Sequence, residues 1–126
     1  MALLLDTHVL LWWEEMSPKL GSATRAAIRA SDMVYVSAAS AWEAEIKRSG
    51  GKLTFAGDFN DMISANNFAE LRVSIRHATT LRALAMHHRD PFDRMLVAQV
   101  LVEGCTLVTA DRRLGVYGVP LLDATR

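Results

Sequence analysis

Four carboxylates of the 126-residue sequence are placed where they could act together: Asp6, Glu43, Asp93 and Asp111. Asp6 directly follows the apolar run LLL and Asp111 follows LVTA, so both come at the ends of predicted buried strands. Open α/β sheets place their ligand sites at the carboxyl ends of parallel strands. Glu43 and Asp93 lie near the starts of predicted helices on the same side, so we expect all four side chains to reach one crevice.

Carboxylates that converge in one cleft repel one another unless cations are present. A set of ligands that consists only of oxygen atoms suits Mg²⁺ or Mn²⁺ better than zinc. The four acids therefore predict a divalent metal site with Mg²⁺ or Mn²⁺ as its ion.

Each acid, taken singly, also has a structural explanation. Asp90 before Pro91 is typical of a helix N-cap followed by proline, and Asp93 in the first helical turn would be favoured by the helix dipole. The sequence SAWE at 40–43 matches a capping box, and the other two acids each open a helix or a turn. Only the set as a whole favours a functional site.

Hydroxyl and imidazole groups give no competing catalytic pattern. The serines and threonines near the acids lack a Ser-His-Asp context, although Thr109 lies two residues before Asp111 and could act beside it. His87 and His88 are adjacent, so they diverge by about 100° on a helix and face opposite ways on a strand. We predict that both are surface or supporting groups and not joint metal ligands or catalytic bases.

Basic side chains flank the acids and provide candidate phosphate contacts, since arginine binds phosphate oxygens through two hydrogen bonds. The alternative for each one is a solvated rim or a charge at a helix end. The candidates are Lys47, Arg48, Lys52, Arg89, Arg94 and Arg112.

Short apolar runs alternate with segments of helical period, which is the pattern of βαβ units and predicts an α/β protein. The predicted strands are 3–5, 33–37, 71–73, 106–109 and 121–122. The predicted helices are 7–14, 22–30, 38–48, 55–66, 75–85 and 91–103, with a small turn after Asp111. Gly104 is the expected C-terminal stop of the last helix.

Composition predicts one compact domain over residues 1–126, because the sequence is 51% hydrophobic. Lys plus Arg balance Asp plus Glu at 14 each, so a nucleic-acid site must be local. The single cysteine, Cys105, predicts a core thiol and a reducing, cytoplasmic location. No apolar run approaches the roughly 18 to 20 residues of a membrane span, and Asp6 interrupts the apolar N-terminal segment, which lacks a signal peptide's basic region.

Four blocks of the sequence occur in a specific order: LLLDTHVLLW, SAASAWEAEIKRSGGKL, HHRDPFDRMLVAQ and LVTADRRL. In that order and spacing they resemble the PIN-domain ribonucleases of the VapC toxin family over nearly the whole chain. The resemblance implies a three-layer α/β/α fold with five parallel strands in the order 3-2-1-4-5. It also implies that Asp6, Glu43, Asp93 and Asp111 hold the divalent metal. Asp90 then supports the site as a cap, and Thr109 corresponds to a hydroxyl beside the last acid.

The activity so implied is metal-dependent endoribonucleolytic cleavage of RNA, in which Mg²⁺ or Mn²⁺ activates water for attack on a phosphodiester. The implied role is the toxin of a type II toxin–antitoxin pair, with RNA as substrate, a small cognate antitoxin and a toxin homodimer. One alternative is an RNA-processing PIN nuclease without an antitoxin. Another is a non-catalytic, receiver-like Mg²⁺-binding regulatory domain, but such a domain needs a lysine after its last strand, and VPLLDATR contains none.

Overall fold

The computed structural model describes residues 1–126 and contains one five-stranded sheet. All neighbouring strands are parallel and their order is β3-β2-β1-β4-β5, which confirms the predicted α/β class and strand order. The strands are β1 Ala2–Leu5, β2 Met33–Ser37, β3 Ala69–Leu71, β4 Thr106–Thr109 and β5 Leu121–Asp123.

Six α-helices connect and cover the strands. They are α1 Thr7–Glu14, α2 Ser22–Ala30, α3 Ala38–Ser49, α4 Phe59–Ala65, α5 Ile75–Thr80 and α6 Pro91–Glu103. Two short 3₁₀ segments, Leu81–Ala83 and Arg112–Tyr117, follow α5 and β4. No helix is both long enough and apolar enough to cross a lipid bilayer.

The central strand β1 is buried on both of its faces. Leu3 and Leu5 belong to one hydrophobic cluster, and Leu4, which points the other way, belongs to a second cluster with Leu96 and Leu107. Successive side chains of a strand face opposite sides of the sheet, so two separate clusters mean helices on both sides. This arrangement confirms the three-layer fold.

The pairing of β1 determines where the first acid lies. Leu5 at the end of β1 pairs with Val36 of β2 and with Val108 of β4. The backbone N–H of Asp6 then donates to the Val108 carbonyl at 3.0 Å, so Asp6 sits in the middle of the sheet edge. Because β4 runs parallel to β1, the loop that contains Asp111 emerges at the same edge.

Strand β3 and helix α4 begin at other residues than predicted. Strand β3 lies two residues earlier than predicted, since Leu71 is buried against the core whereas Val73 is exposed. Helix α4 begins at Phe59 because the Asp58 side chain accepts the Asn60 N–H and caps it. Phe55 packs edge-to-face on Phe59 from a loop, at 5.7 Å between ring centroids.

The predicted helix 75–85 is shorter than expected, and the cause is Arg94. The α-helix ends at Thr80 and continues as one 3₁₀ turn. The guanidinium of Arg94 donates to the carbonyls of Leu81, Leu84 and Ala85, at 3.2, 3.3 and 2.9 Å. These hydrogen bonds from a separate helix hold the segment in an irregular conformation.

Candidate active site

The structure brings the four predicted acids together in one open cleft of about 460 Å³ at the carboxyl edge of the sheet. Asp6 and Asp111 follow β1 and β4, whereas Glu43 and Asp93 come from α3 and α6. The remaining lining residues are His8, Val9, Trp12, Lys47, Asp90, Ala110 and Arg113. Two acids at strand ends and two acids on helices therefore meet in the same cleft.

Asp6 lies in the centre of the cleft and has two structural partners. Its Oδ1 accepts the His8 backbone N–H at 3.2 Å and so caps α1, while its Oδ2 accepts the Thr109 hydroxyl at 2.7 Å. Burial raises the pKa of the Asp6 carboxyl, although the hydrogen bond from Thr109 opposes this effect. The ionised form of Asp6 is therefore disfavoured unless a positive charge is near.

Glu43 is directed inward and does not cap its helix. Ser37 caps α3 instead, by accepting the Ala39 N–H at 3.0 Å, so the capping-box interpretation of SAWE is wrong. Glu43 is only 7% exposed. Its Oε1 accepts the Thr7 hydroxyl at 2.8 Å and its Oε2 accepts the Lys47 ammonium at 2.7 Å. These two partners compensate the cost of burying the carboxylate.

Asp90 and Asp93 differ in structural role: one caps a helix and the other faces the cleft. Asp90 is the N-cap of α6, since its Oδ1 accepts the N–H groups of Phe92 at 2.9 Å and of Asp93 at 3.1 Å. The carboxylate of Asp93 therefore takes no part in capping and faces the cleft. Burial, followed by the charges of Asp6 and Asp90, raises the pKa of Asp93 to about 7.

Asp111 has the opposite electrostatic environment. Arg113 donates from Nε to Oδ1 at 2.9 Å and from Nη2 to Oδ2 at 2.8 Å. These hydrogen bonds, more than any other contact, lower the pKa of Asp111 to about 2. Thr109 lies beside it, as predicted, and its hydroxyl oxygen accepts the Asp111 N–H at 3.1 Å. The ionised form of Asp111 is thus stabilised, whereas that of Asp93 is destabilised.

His88, which the sequence indicated to be a surface or supporting group, lies beside the acids. Its Nε2 lies 3.3 Å from Oδ2 of Asp111 and 3.6 Å from Oδ2 of Asp93. The neighbouring His87 turns away and packs its ring edge-to-face on Tyr117. The two adjacent rings therefore have different surroundings, and their adjacency in the sequence gave no information on which of them reaches the acids.

Two of the predicted phosphate contacts have structural roles instead. Arg94 is only 9% exposed and is bonded to backbone carbonyls of the segment after α5, so its assignment as an RNA contact is corrected. Arg48 is half-buried, pairs with Glu45 and donates to the carbonyls of Phe55 and Gly57. It thereby anchors the loop between α3 and α4.

The other basic candidates lie in different surroundings. Lys47 is inside the cleft, paired with Glu43. Lys52 and Arg89 are exposed. Arg112 is also exposed, forms an ion pair with Asp123 at 3.0 Å and lines a separate cavity. Arg113, which also flanks the acids in the sequence, is the second basic group of the cleft.

The charges of the cleft fit a divalent cation. Five acidic side chains line it against two basic ones, Lys47 and Arg113, so its acidic groups outnumber its Lys and Arg groups by three. Burial and mutual repulsion raise the pKa values of Asp6 and Asp93, which are the changes that a bound cation would reverse. The ligands from the quartet are oxygen atoms, which suit Mg²⁺ or Mn²⁺.

The fold and the cleft together define an α/β protein that gathers carboxylates at the carboxyl edge of a parallel sheet. The sequence matches the PIN domain family over residues 3–119, and the chain belongs to that family. It is 31% identical over 115 residues to Ribonuclease VapC22 of Mycobacterium tuberculosis, with 88% of each chain covered.

Solved structures with the same fold include two toxin–antitoxin complexes. VapBC-1 from nontypeable Haemophilus influenzae matches with a TM-score of 0.68 at 16% identity and complete coverage of both chains. VapBC2 from Rickettsia felis, bound to a DNA fragment from its promoter, matches with a TM-score of 0.66 at 12% identity and 98% coverage of each chain. At these identities the comparison supports the fold.

Proposed function

We propose that the protein is a divalent-metal-dependent endoribonuclease of the VapC type. The observation that supports this most strongly is the convergence of four carboxylates from four different elements in the cleft of a PIN domain. The likeness to Ribonuclease VapC22 over 88% of each chain supports RNA as the substrate.

The proposed metal ligands are the quartet Asp6, Glu43, Asp93 and Asp111, and the proposed ion is Mg²⁺ or Mn²⁺. When bound, such an ion supplies Lewis-acid activation of water for in-line attack on the phosphodiester and stabilises charge on the leaving oxygen. Thr7 and Thr109 orient two of the carboxylates through their hydroxyl groups. Asp90 supports the site by fixing the first turn of α6.

An anionic RNA phosphate can approach this acidic cleft only next to its basic side chains. Lys47 and Arg113 lie inside the cleft, and their charges limit the repulsion between its carboxylates and an RNA phosphate. Lys52, Arg89 and Arg112 are exposed and are proposed as further phosphate contacts. The overall charge balance of 14 basic and 14 acidic residues makes this local supply of cations necessary.

The biological role we propose is the toxin of a type II toxin–antitoxin pair, acting in the cytoplasm as a single domain that forms a homodimer and binds a small antitoxin. An apolar groove of about 370 Å³ next to the cleft supports a protein partner. Trp42 in this groove is 64% exposed and contacts Phe92 edge-to-face at 5.3 Å. Exposed apolar surfaces of this kind are typical of protein interfaces.

A cleavage assay with purified protein tests the proposal. Structured and unstructured RNAs and matched DNA oligonucleotides would be incubated in excess chelator, then with Mg²⁺ or Mn²⁺ added back. We expect RNA cleavage only with the metal, and its inhibition by the small protein encoded next to the gene. Cleavage undiminished in chelator, with contaminating nucleases excluded, would contradict the metal-dependent mechanism. Active enzyme without any such inhibitor would favour an RNA-processing role.

A further inference from the structure

We propose that His88 is a positioning residue of the cleft, whose Nε2–H group donates to the carboxylate of Asp111 and lies next to that of Asp93. The inference rests on the proposed function, because it concerns two of the proposed metal ligands. It assigns His88 as a hydrogen-bond donor and not as a ligand of the metal.

The position of the ring supports this role. The Nε2 atom lies within 3.3 Å of Asp111 Oδ2 and 3.6 Å of Asp93 Oδ2, and one ligand atom from each of the three residues lies within 4.8 Å of the others. The His88 side chain is only 12% exposed. A single part-buried nitrogen therefore faces two carboxylates that come from α6 and from the loop after β4.

The hydrogen bond at the other ring nitrogen determines which atom has the proton. The backbone N–H of Asp90 donates to Nδ1 of His88 at 3.3 Å, so Nδ1 is an acceptor. The proton of a neutral ring is then on Nε2, where it points at the carboxylates. A protonated Nε2 cannot coordinate a cation, so this hydrogen-bond pattern favours donation over ligation.

The backbone of His88 is fixed as well as its ring. Its N–H donates to the Tyr117 hydroxyl at 3.0 Å, and the same hydroxyl accepts from Arg94 at 3.1 Å. The buried Arg94 also bonds the segment that precedes His88. The ring therefore has a defined position before any ligand arrives, which is the condition for orienting metal ligands through hydrogen bonds.

The geometry also suggests why such a donor is needed. Asp111 is already held by Arg113, whereas Asp93 forms no ion pair with a Lys or Arg side chain and has only the His88 ring beside it. Without a donor between them, repulsion would favour carboxylate orientations that point apart. With the Nε2–H group in place, the two Oδ2 atoms stay close to each other, so that both carboxylates remain available to a cation.

Two substitutions separate the roles of the two ring nitrogens. His88→Asn keeps an acceptor near the position of Nδ1 but removes the donor that reaches the carboxylates, whereas His88→Gln places an amide N–H near the position of Nε2. His87→Asn is the matched control, since His87 is the adjacent histidine and its ring packs on Tyr117. Loss of outer hydrogen-bond partners typically weakens metal binding by about 10- to 100-fold.

The experiment is a Mn²⁺ titration followed by electron paramagnetic resonance, with pulsed measurements for ¹⁴N coupling. We expect His88→Asn to weaken Mn²⁺ binding by about tenfold or more, with His88→Gln and His87→Asn within about threefold of the parent. We also expect no directly coordinated nitrogen in the parent. Direct ¹⁴N coordination that is lost in His88→Asn would overturn the assignment as a donor, and so would parental affinity in His88→Asn. If the parent itself bound no Mn²⁺, the proposed function would fail, and this outcome is distinguishable from the other two.

Discussion

The hydroxyl of Thr109 lies 2.7 Å from Oδ2 of Asp6, although the two residues are 103 positions apart in the sequence. The contact joins the carboxyl ends of β1 and β4, the two strands whose following residues enter the cleft. The same hydroxyl oxygen accepts the Asp111 N–H at 3.1 Å. One buried side chain therefore orients the first acid and fixes the backbone of the last.

Thr109→Val preserves the shape of this side chain but removes its hydroxyl. We expect metal affinity to fall about 10-fold, because Asp6 loses the donor that orients it. Thr109→Ser should bind metal like the parent, yet it should lose about 1 kcal/mol of folding free energy through the missing methyl group. Isothermal titration with Mn²⁺ and urea unfolding would measure the two effects. Equal metal affinities for the Val and Ser variants would contradict the role assigned to the hydroxyl.

The cap of α6 gives a second prediction. Asp90→Ala should lower the free energy of unfolding by roughly 0.5 to 2 kcal/mol, since the N–H groups of Phe92 and Asp93 lose their acceptor. Asparagine caps helices about as well as aspartate, so Asp90→Asn should keep most of the stability. Thermal and urea unfolding in excess chelator would compare the variants. A large loss in Asp90→Asn would show that the charge, and not the cap, is required.

Arg94 and Arg89 flank the same motif but are predicted to behave differently. Arg94→Leu should cost about 2 kcal/mol or more of stability, because the carbonyls of Leu81, Leu84 and Ala85 lose their donor. Arg89 is exposed, so Arg89→Gln should change stability by less than about 0.5 kcal/mol. It should instead weaken RNA binding, measured by fluorescence anisotropy. The reverse pattern would contradict the assignment of the two residues.

The extent to which the sequence predicted this molecule depends on the range of the interactions involved. The central strands and the first acid were predictable, because LLL followed by Asp6 is a local pattern of burial followed by a polar cap. The limits of β3 and α4 were not. Val73 follows Leu71 at the two-residue spacing of a strand but is exposed, and Phe55 and Phe59 have helical spacing although only Phe59 is in the helix.

In the site, too, local features were predictable and long-range contacts were not. The cap at Asp90 follows from local chemistry, since aspartate before proline fits a helix start. The place of His88 depends on contacts with Asp111 and Tyr117, which lie more than twenty positions further along the chain. The burial of Arg94 likewise depends on how the segment after α5 folds over α6. No spacing rule in the sequence describes these contacts.

In chelator, the raised pKa of Asp93 should make the stability of the protein depend on pH. The pKa of Asp93 is about 7 in the folded chain against a reference value of 3.8, so the folded state binds more protons between these values. Stability should therefore fall as pH rises from about 4 to 7. Asp111, with its pKa lowered to about 2, has the opposite effect: its contribution is lost as pH falls below about 4.

Urea unfolding across this pH range would test the prediction. Asp93→Asn should reduce the decline in stability between about pH 4 and 7, and added Mn²⁺ should reduce it in the parent, since a bound cation favours the ionised carboxylate. Asp90→Asn should reduce the decline less than Asp93→Asn, because it removes only one of the charges that raise the pKa of Asp93. A decline in Asp93→Asn as steep as in the parent would show that another group causes it.

The central claim is that the acidic quartet binds the metal required for RNA cleavage. Its most direct test measures RNA cleavage with Mn²⁺ and thermal stability in chelator for Asp93→Asn and Asp90→Asn in parallel. We expect Asp93→Asn to lose cleavage while its stability equals or exceeds that of the parent, because one carboxylate fewer repels the others. Asp90→Asn should retain most of both properties. Parental cleavage by Asp93→Asn together with an inactive Asp90→Asn would reverse the assignment of ligand and cap, and full activity of both would contradict the nuclease mechanism.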